Sequence, residues 1–151
     1  MKRYHLKKKK IKEIKKYLAI DIWVEGTYEI VEDEQSVILV DGLPSYFFYE
    51  GKYYPTVLLL LQHPIDNSYV TVDLGAVKHV LNGANIFAAG IVDADPNVRE
   101  GDAVYVRDEK YKKALAVGIA LMDARDMVSK KSGMAVKNLH YYGDKISKIL
   151  D

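Results

Sequence analysis

Apolar positions recur along the chain with two periods, and each period predicts its own kind of element. Ile11, Ile14 and Leu18 fall on one helical stripe with lysines around the rest, which predicts a helix over 8–18 after a short extended piece at 4–7. TYEIVED (27–33) sets Tyr28 and Ile30 against Glu29 and Val31; SVILV (36–40) is a buried run, Asp41-Gly42 a turn signal, and SYFFYE (45–50) aromatic and strand-prone. These predict a meander of about three antiparallel strands after the helix. YYPTVLLLLQHP (53–64) lies between Pro55 and Pro64 and predicts a short buried helix with Pro55 at its opening turn. Pro, Asp, Asn and Ser then crowd into 64–68, the best boundary in the chain.

Beyond it the pattern shortens. Strands are predicted at 69–73, 86–89, 103–107 and 115–121, with one or two more inside GMAVKNLHYYGD (133–144). Between them lie a helix at 74–82 begun by Asp73, a loop at 93–102, a basic turn at 108–113 and a helix at 123–130 capped by Asp123. A last short helix is expected at 145–150. The fold class is therefore α+β: a small N-terminal α/β domain over 1–67, a helix plus an antiparallel meander, and a small closed or half-closed barrel over 68–151. A mostly polar joint between the two, and separable folding, are the default expectation.

Composition narrows the chemistry. The 151 residues include no cysteine, which removes disulfides, thiolate metal sites and a cysteine nucleophile. No apolar run approaches a membrane span, and no apolar segment follows the charged N-terminus as a secretory leader requires, so a cytoplasmic protein is expected. His5, His63, His79 and His140 are scattered without metal-ligand spacing. Asp93 and Asp95 are explained by turn formation, Ser129 and Ser132 lack a nucleophile elbow, and no Gly-rich phosphate loop appears. No catalytic site, cofactor, metal or small-molecule substrate is expected. Net charge is only +1, but residues 1–16 carry eight lysines and Arg3 against the single acid Glu13, while 17–51 carry eight acids and no lysine or arginine. The basic block suits either a polyanion or a solvated helix face.

The stretch DLGAVKHVLNGANIFAAG (73–90) is the chemically suggestive one. Gly83 reads as a left-handed helix cap, with Lys78, His79, Asn82 and Asn85 gathered around it. A residue without a side chain lets a ligand backbone come close. Lys78 and Asn82, four apart, would share a helix face; the lysine suits a phosphate, and Asn82 and Asn85 suit a base edge or ribose.

VDLGAVKHVLNGANIFAAGIV, VREGDAVYV, ALAVGIALM and SGMAVKNLHYY together resemble a PUA domain, an RNA-binding module, over about 70–142. In this resemblance Gly83-Ala84, Gly90, Gly101-Asp102 and Gly118 occupy turns. YYPTVLLLLQHP and VKNLHYYGD are similar to a narrower group, the malignant-T-cell-amplified-sequence proteins and the N-terminal part of ligatin, with archaeal two-domain members nearest. The resemblance implies a pseudobarrel. It implies an RNA surface of Lys78, Asn82, Gly83, Ala84 and Asn85 with Lys137, Asn138, His140 and Tyr141, to which His79 is added from the helix end. It implies a non-enzymatic protein that acts on the small ribosomal subunit or tRNA in translation initiation or recycling. Ligatin's further domains are not seen here, so activity that needs them would come from a translation-factor partner. Two other classes remain open. One is a protein-interaction adaptor docking through an acidic sheet edge (Glu29, Glu32, Asp33, Glu34); the other is an accessory subunit of an RNA-modification enzyme.

Overall fold

The computed structural model describes all residues, Met1–Asp151. Its first sheet has five antiparallel strands in chain order: β1 (Lys2–His5), β2 (Tyr28–Glu32), β3 (Val37–Val40), β4 (Leu43–Tyr49) and β5 (Lys52–Pro55). The predicted meander thus gains a strand at each side. The extended N-terminus becomes edge strand β1, and Tyr53–Pro55 join the sheet instead of opening a helix. Helix α1 (Lys8–Lys16) links β1 to β2. It stops two residues short of Leu18, because the chain from Tyr17 to Ala19 peels away to hydrogen-bond Tyr53. Helix α2 (Val57–Gln62) follows β5 and starts on Thr56, whose hydroxyl accepts the Leu59 N–H at 3.1 Å.

α1 is an uneasy helix by its own local chemistry. Its N-cap Lys7 supplies no side-chain hydrogen bond, and its first turn holds lysines and no acid, against the helix dipole. Lys8, Lys12 and Lys16 repeat at four-residue spacing, each like-charged neighbour costing about 0.2–0.5 kcal/mol. Packing holds it: Ile14 is fully buried and Ile11 packs on the same core.

The second sheet is mixed. Its strands are β6 (Tyr69–Val72), β7 (Ile86–Phe87), β8 (Ile91–Ala94), β9 (Ala103–Asp108), β10 (Ala114–Ala120) and β11 (Met134–Tyr141), in the order β7-β11-β10-β9-β6-β8. Only β6 and β9 run parallel. The outermost strands β7 and β8 are separated in sequence by the single 3₁₀ turn Ala88–Gly90. A flat six-stranded sheet would hold its edges about 24 Å apart, at ~4.8 Å per strand. The chain from Phe87 to Ile91 reaches at most about 14 Å. The sheet must therefore curl into a nearly closed pseudobarrel. Its helices are α3 (Val77–Val80), preceded by a 3₁₀ turn Leu74–Ala76, and α4 (Ala124–Ser129).

Several local expectations shift. The predicted helix over 74–82 splits, leaving Asn82 in a turn beyond α3. The predicted loop at 93–102 begins as strand, since β8 continues to Ala94. The Asp123 carboxylate accepts the Glu100 N–H at 2.8 Å and gives α4 no side-chain cap. Residues 145–150 form successive turns, not a helix. Gly118 lies within β10 rather than in a turn. A Cβ there would stand 2.0 Å from the Lys137 carbonyl oxygen, so this residue lets β11 come close.

Two cores fill the molecule, but the joint between them is apolar. Tyr105, Ala114, Val117 and Ile146, all from the second half, are buried in the first core with Ile14, Phe47 and Leu59. The expectation of a mostly polar joint does not hold. The 64–68 connection is tied down as well. The Tyr105 hydroxyl donates to the Ile65 carbonyl, Asp95 accepts the Ser68 N–H, and Arg107 stacks on Tyr69 and pairs with Asp66 at 3.6 Å. The acidic edge proposed for an adaptor is not an edge. β1 covers β2, Arg3 pairs with Glu29, the Tyr4 hydroxyl donates to Glu32, and Lys145 reaches Glu34 at 3.4 Å.

Candidate nucleic-acid interface

The α3–β7 segment is built from its backbone outward. The Asp73 carboxylate accepts the Ala76 N–H at 2.9 Å and starts the turn that becomes α3. The helix ends after one turn, and Gly83 follows at φ +87°, the left-handed conformation its sequence predicted. The space beside Gly83 is already taken. A Cβ there would lie 2.9 Å from Tyr141 Cε1. Gly83 therefore makes room for an aromatic ring of β11, not for an approaching ligand.

Asn85 and Asn138 complete the brace. The Asn85 side-chain oxygen accepts the Asn138 N–H at 2.9 Å, and the Asn138 amide donates to the carbonyls of Val80 and Ala84 at 3.2 and 3.0 Å. The Val80 carbonyl also accepts the Gly83 N–H at 3.0 Å, so Asn138 adds a second donor there and ties the helix end to the Ala84 carbonyl beyond it. Asn85, expected to meet a base edge or ribose, and Asn138, implied in the RNA surface, thus hold the helix end against β11.

His140 is a further correction. It is fully buried, so it belongs to no exposed RNA surface. Its Nε2 accepts the N–H of Val57, the first residue of α2, at 3.0 Å, which places the ring hydrogen on Nδ1 facing Asp144 at 2.9 Å. The ring also meets Phe47 edge-on at 5.3 Å between centroids. A residue 83 positions away in sequence thereby caps α2 and fastens the two units together. Burial alone would raise the Asp144 carboxyl. The hydrogen bond from His140 and the N–H groups of Tyr141 and Ser147 outweigh it and hold the carboxyl below its ordinary value of 3.8. A depressed carboxyl stabilises the fold fully above its unfolded value and loses that contribution as pH falls through the folded one. Chemical denaturation is accordingly expected to show stability falling below about pH 4, with a flatter acid limb in Asp144→Asn; an unchanged acid limb would contradict this.

Lys137 leaves β11 in another direction. Its ammonium donates to the Tyr49 hydroxyl at 3.0 Å and lies 5.6 Å from that ring, and this bond raises its pKa. It therefore stands at the joint with the first sheet and does not bond within the α3 end. Of the ten positions singled out in the sequence, Lys78, His79, Asn82 and Ala84 form an exposed group around the end of α3. Asn85, Asn138, Gly83 and Tyr141 support it from beneath, while His140 lies at the joint between the units.

Sequence reasoning missed an exposed apolar pair that starts just beyond this group in the chain. Phe87 is 54% exposed and pairs across strands with Met134, 40% exposed. The period of two was the available signal: Ile86 is buried, so its neighbour must face out. An exposed ring three residues along the chain from Ala84 can stack on an unpaired base while Lys78 meets phosphate.

A curled mixed sheet with a short helix end presented as a polar face defines this as a PUA-domain protein. Residues 68–142 match the PUA domain, and residues 2–63 match a family described as Domain of unknown function (DUF1947). The chain is 47% identical to an uncharacterized protein of Methanocaldococcus jannaschii, over 96% of this chain and 94% of that one. It is 36% identical to malignant T-cell-amplified sequence 1-B of Xenopus laevis over 63% of this chain, an alignment spanning about half (54%) of that relative. With translation machinery-associated protein 20 of Saccharomyces cerevisiae the identity is 31%, covering 75% of this chain and 66% of the other. A hypothetical protein from Pyrococcus horikoshii superposes with a TM-score of 0.85 at 35% identity, covering 99% of this chain and 100% of the other. The chain belongs to the malignant-T-cell-amplified-sequence and translation-machinery-associated-protein-20 family of two-part PUA proteins.

Proposed function

We propose that this protein is a non-enzymatic, cytoplasmic RNA-binding factor of translation that holds rRNA of the small ribosomal subunit or tRNA on its PUA face. The observation that carries this reading is the exposed Lys78, His79, Asn82 and Ala84 group, with exposed Phe87 following on β7, set on a brace of Asn85, Asn138 and Tyr141. Lys78 neutralises phosphate, Phe87 stacks on an unpaired base, and the braced backbone supplies shape. We place the division between its two units at 67/68, with the first unit free to meet a translation-factor partner.

The test is a gel shift with small-subunit rRNA, tRNA, and tRNA lacking its 3′ end. Lys78→Gln is expected to weaken binding several-fold and to reduce the salt slope by about one contact, while Phe87→Ala selectively weakens ligands with an unpaired end. Parent-like binding by both variants would remove the PUA face from the account.

A further inference from the structure

A second concentration of charge lies on α1. Lys8, Lys9, Lys12, Lys15 and Lys16 are exposed and form no ion pair, and the helix's one acid, Glu13, is held by Lys10 at 2.8 Å. Lys15 and Lys16 rest over the rings of Trp23 and Tyr17, each at 5.5 Å, which leaves Lys8, Lys9 and Lys12 wholly uncommitted. The arrangement repels itself, its first-turn lysines Lys8 and Lys9 oppose the helix dipole that Lys15 and Lys16 complement, and it lacks a capping bond. A polyanion relieves all of that repulsion. The apolar side of α1 is spent on the protein core through Ile11 and Ile14, so it has nothing to insert into a lipid surface. Lys8, Lys12 and Lys16 advance about 6 Å per step along one side of the helix, a row suited to successive phosphates.

We propose that the Lys8, Lys9, Lys12 and Lys16 side of α1 is a docking surface for the phosphate backbone of structured RNA, separate from the PUA face. Its position sharpens the proposal. Phe48 packs on Tyr53, over which Lys10 of α1 lies. The adjacent residues Phe47 and Tyr49 face the other way, to His140 and Lys137 of β11. α1 and the PUA unit therefore flank opposite sides of the first sheet. A large folded RNA can span both sides of the sheet, whereas a strand of a few nucleotides held at the α3 end is expected to engage that end alone. The proposal rests on the RNA-binding reading above.

The test compares the full chain with Lys8→Gln/Lys12→Gln/Lys16→Gln, using small-subunit rRNA and a short single-stranded RNA oligonucleotide. The triple variant is expected to lose at least about tenfold in rRNA affinity near ~100 mM salt, with a salt slope lower by about 2–3. Affinity for the short strand should not change, and Tm should hold or rise because like-charged neighbours are gone. Unchanged rRNA affinity and slope in the triple variant, with Lys78→Gln still weakening binding, would overturn the α1 surface and leave the PUA reading standing. Lysine-dependent binding of the chain to phosphatidylserine vesicles without a change on rRNA would also overturn it. A parent chain that binds neither RNA overturns both.

Discussion

His140→Ala is expected to destabilise the whole chain by about 3–5 kcal/mol, the range of a buried aromatic truncation that also strands polar partners. The ring is fully buried and lies against Phe47, so its loss opens a cavity between the two units. The Val57 N–H loses its acceptor at the start of α2, and the Asp144 carboxylate loses a donor. His140→Gln keeps an acceptor in reach of Val57 without the ring, and its loss should be intermediate. Denaturant unfolding followed by the single tryptophan, Trp23, reads the effect from the first unit although the substitution lies in the second. A loss below about 1 kcal/mol would mean that this joint does not couple the units.

Gly83→Val is expected to cost about 2–3 kcal/mol, from two additive sources. A branched residue at φ +87° bears a left-handed backbone penalty of about 1–2 kcal/mol, and its Cβ meets Tyr141 at 2.9 Å. The two sources separate in a double-mutant cycle. In a Tyr141→Ala background the clash disappears and only the backbone part remains, a coupling of about 1 kcal/mol. Purely additive losses would show that Tyr141 does not press on Gly83.

The elements most legible in the sequence were those whose signals are local. The period of α1, the Asp41-Gly42 turn, the Asp73 start and the Gly83 stop are set by neighbouring residues, and the structure places them where their chemistry requires. What failed was decided at a distance. α1 loses its last two residues to a pairing with Tyr53, Pro55 joins a strand, and Asp123 turns to Glu100. The site divides the same way. Exposed Lys78 follows from the helix pattern alone, whereas Asn82 is exposed in the turn beyond α3. That His140 would cap α2, that Asn138 would reach the Val80 and Ala84 carbonyls, and that Tyr141 would lie on Gly83 all depend on β11 crossing residues more than fifty positions earlier. Polar side chains such as these look alike in sequence whether they meet a ligand or the protein's own backbone. Only the closed sheet tells them apart.

The proposed function requires that lysine–phosphate contacts hold structured RNA. Its most direct test is the affinity of the full chain for small-subunit rRNA and for tRNA, measured from roughly 50 to 200 mM salt. With about four phosphates neutralised, affinity should fall by about one to two orders of magnitude across that range, linearly in log–log form. A flat response, or no binding to either RNA, would contradict the account.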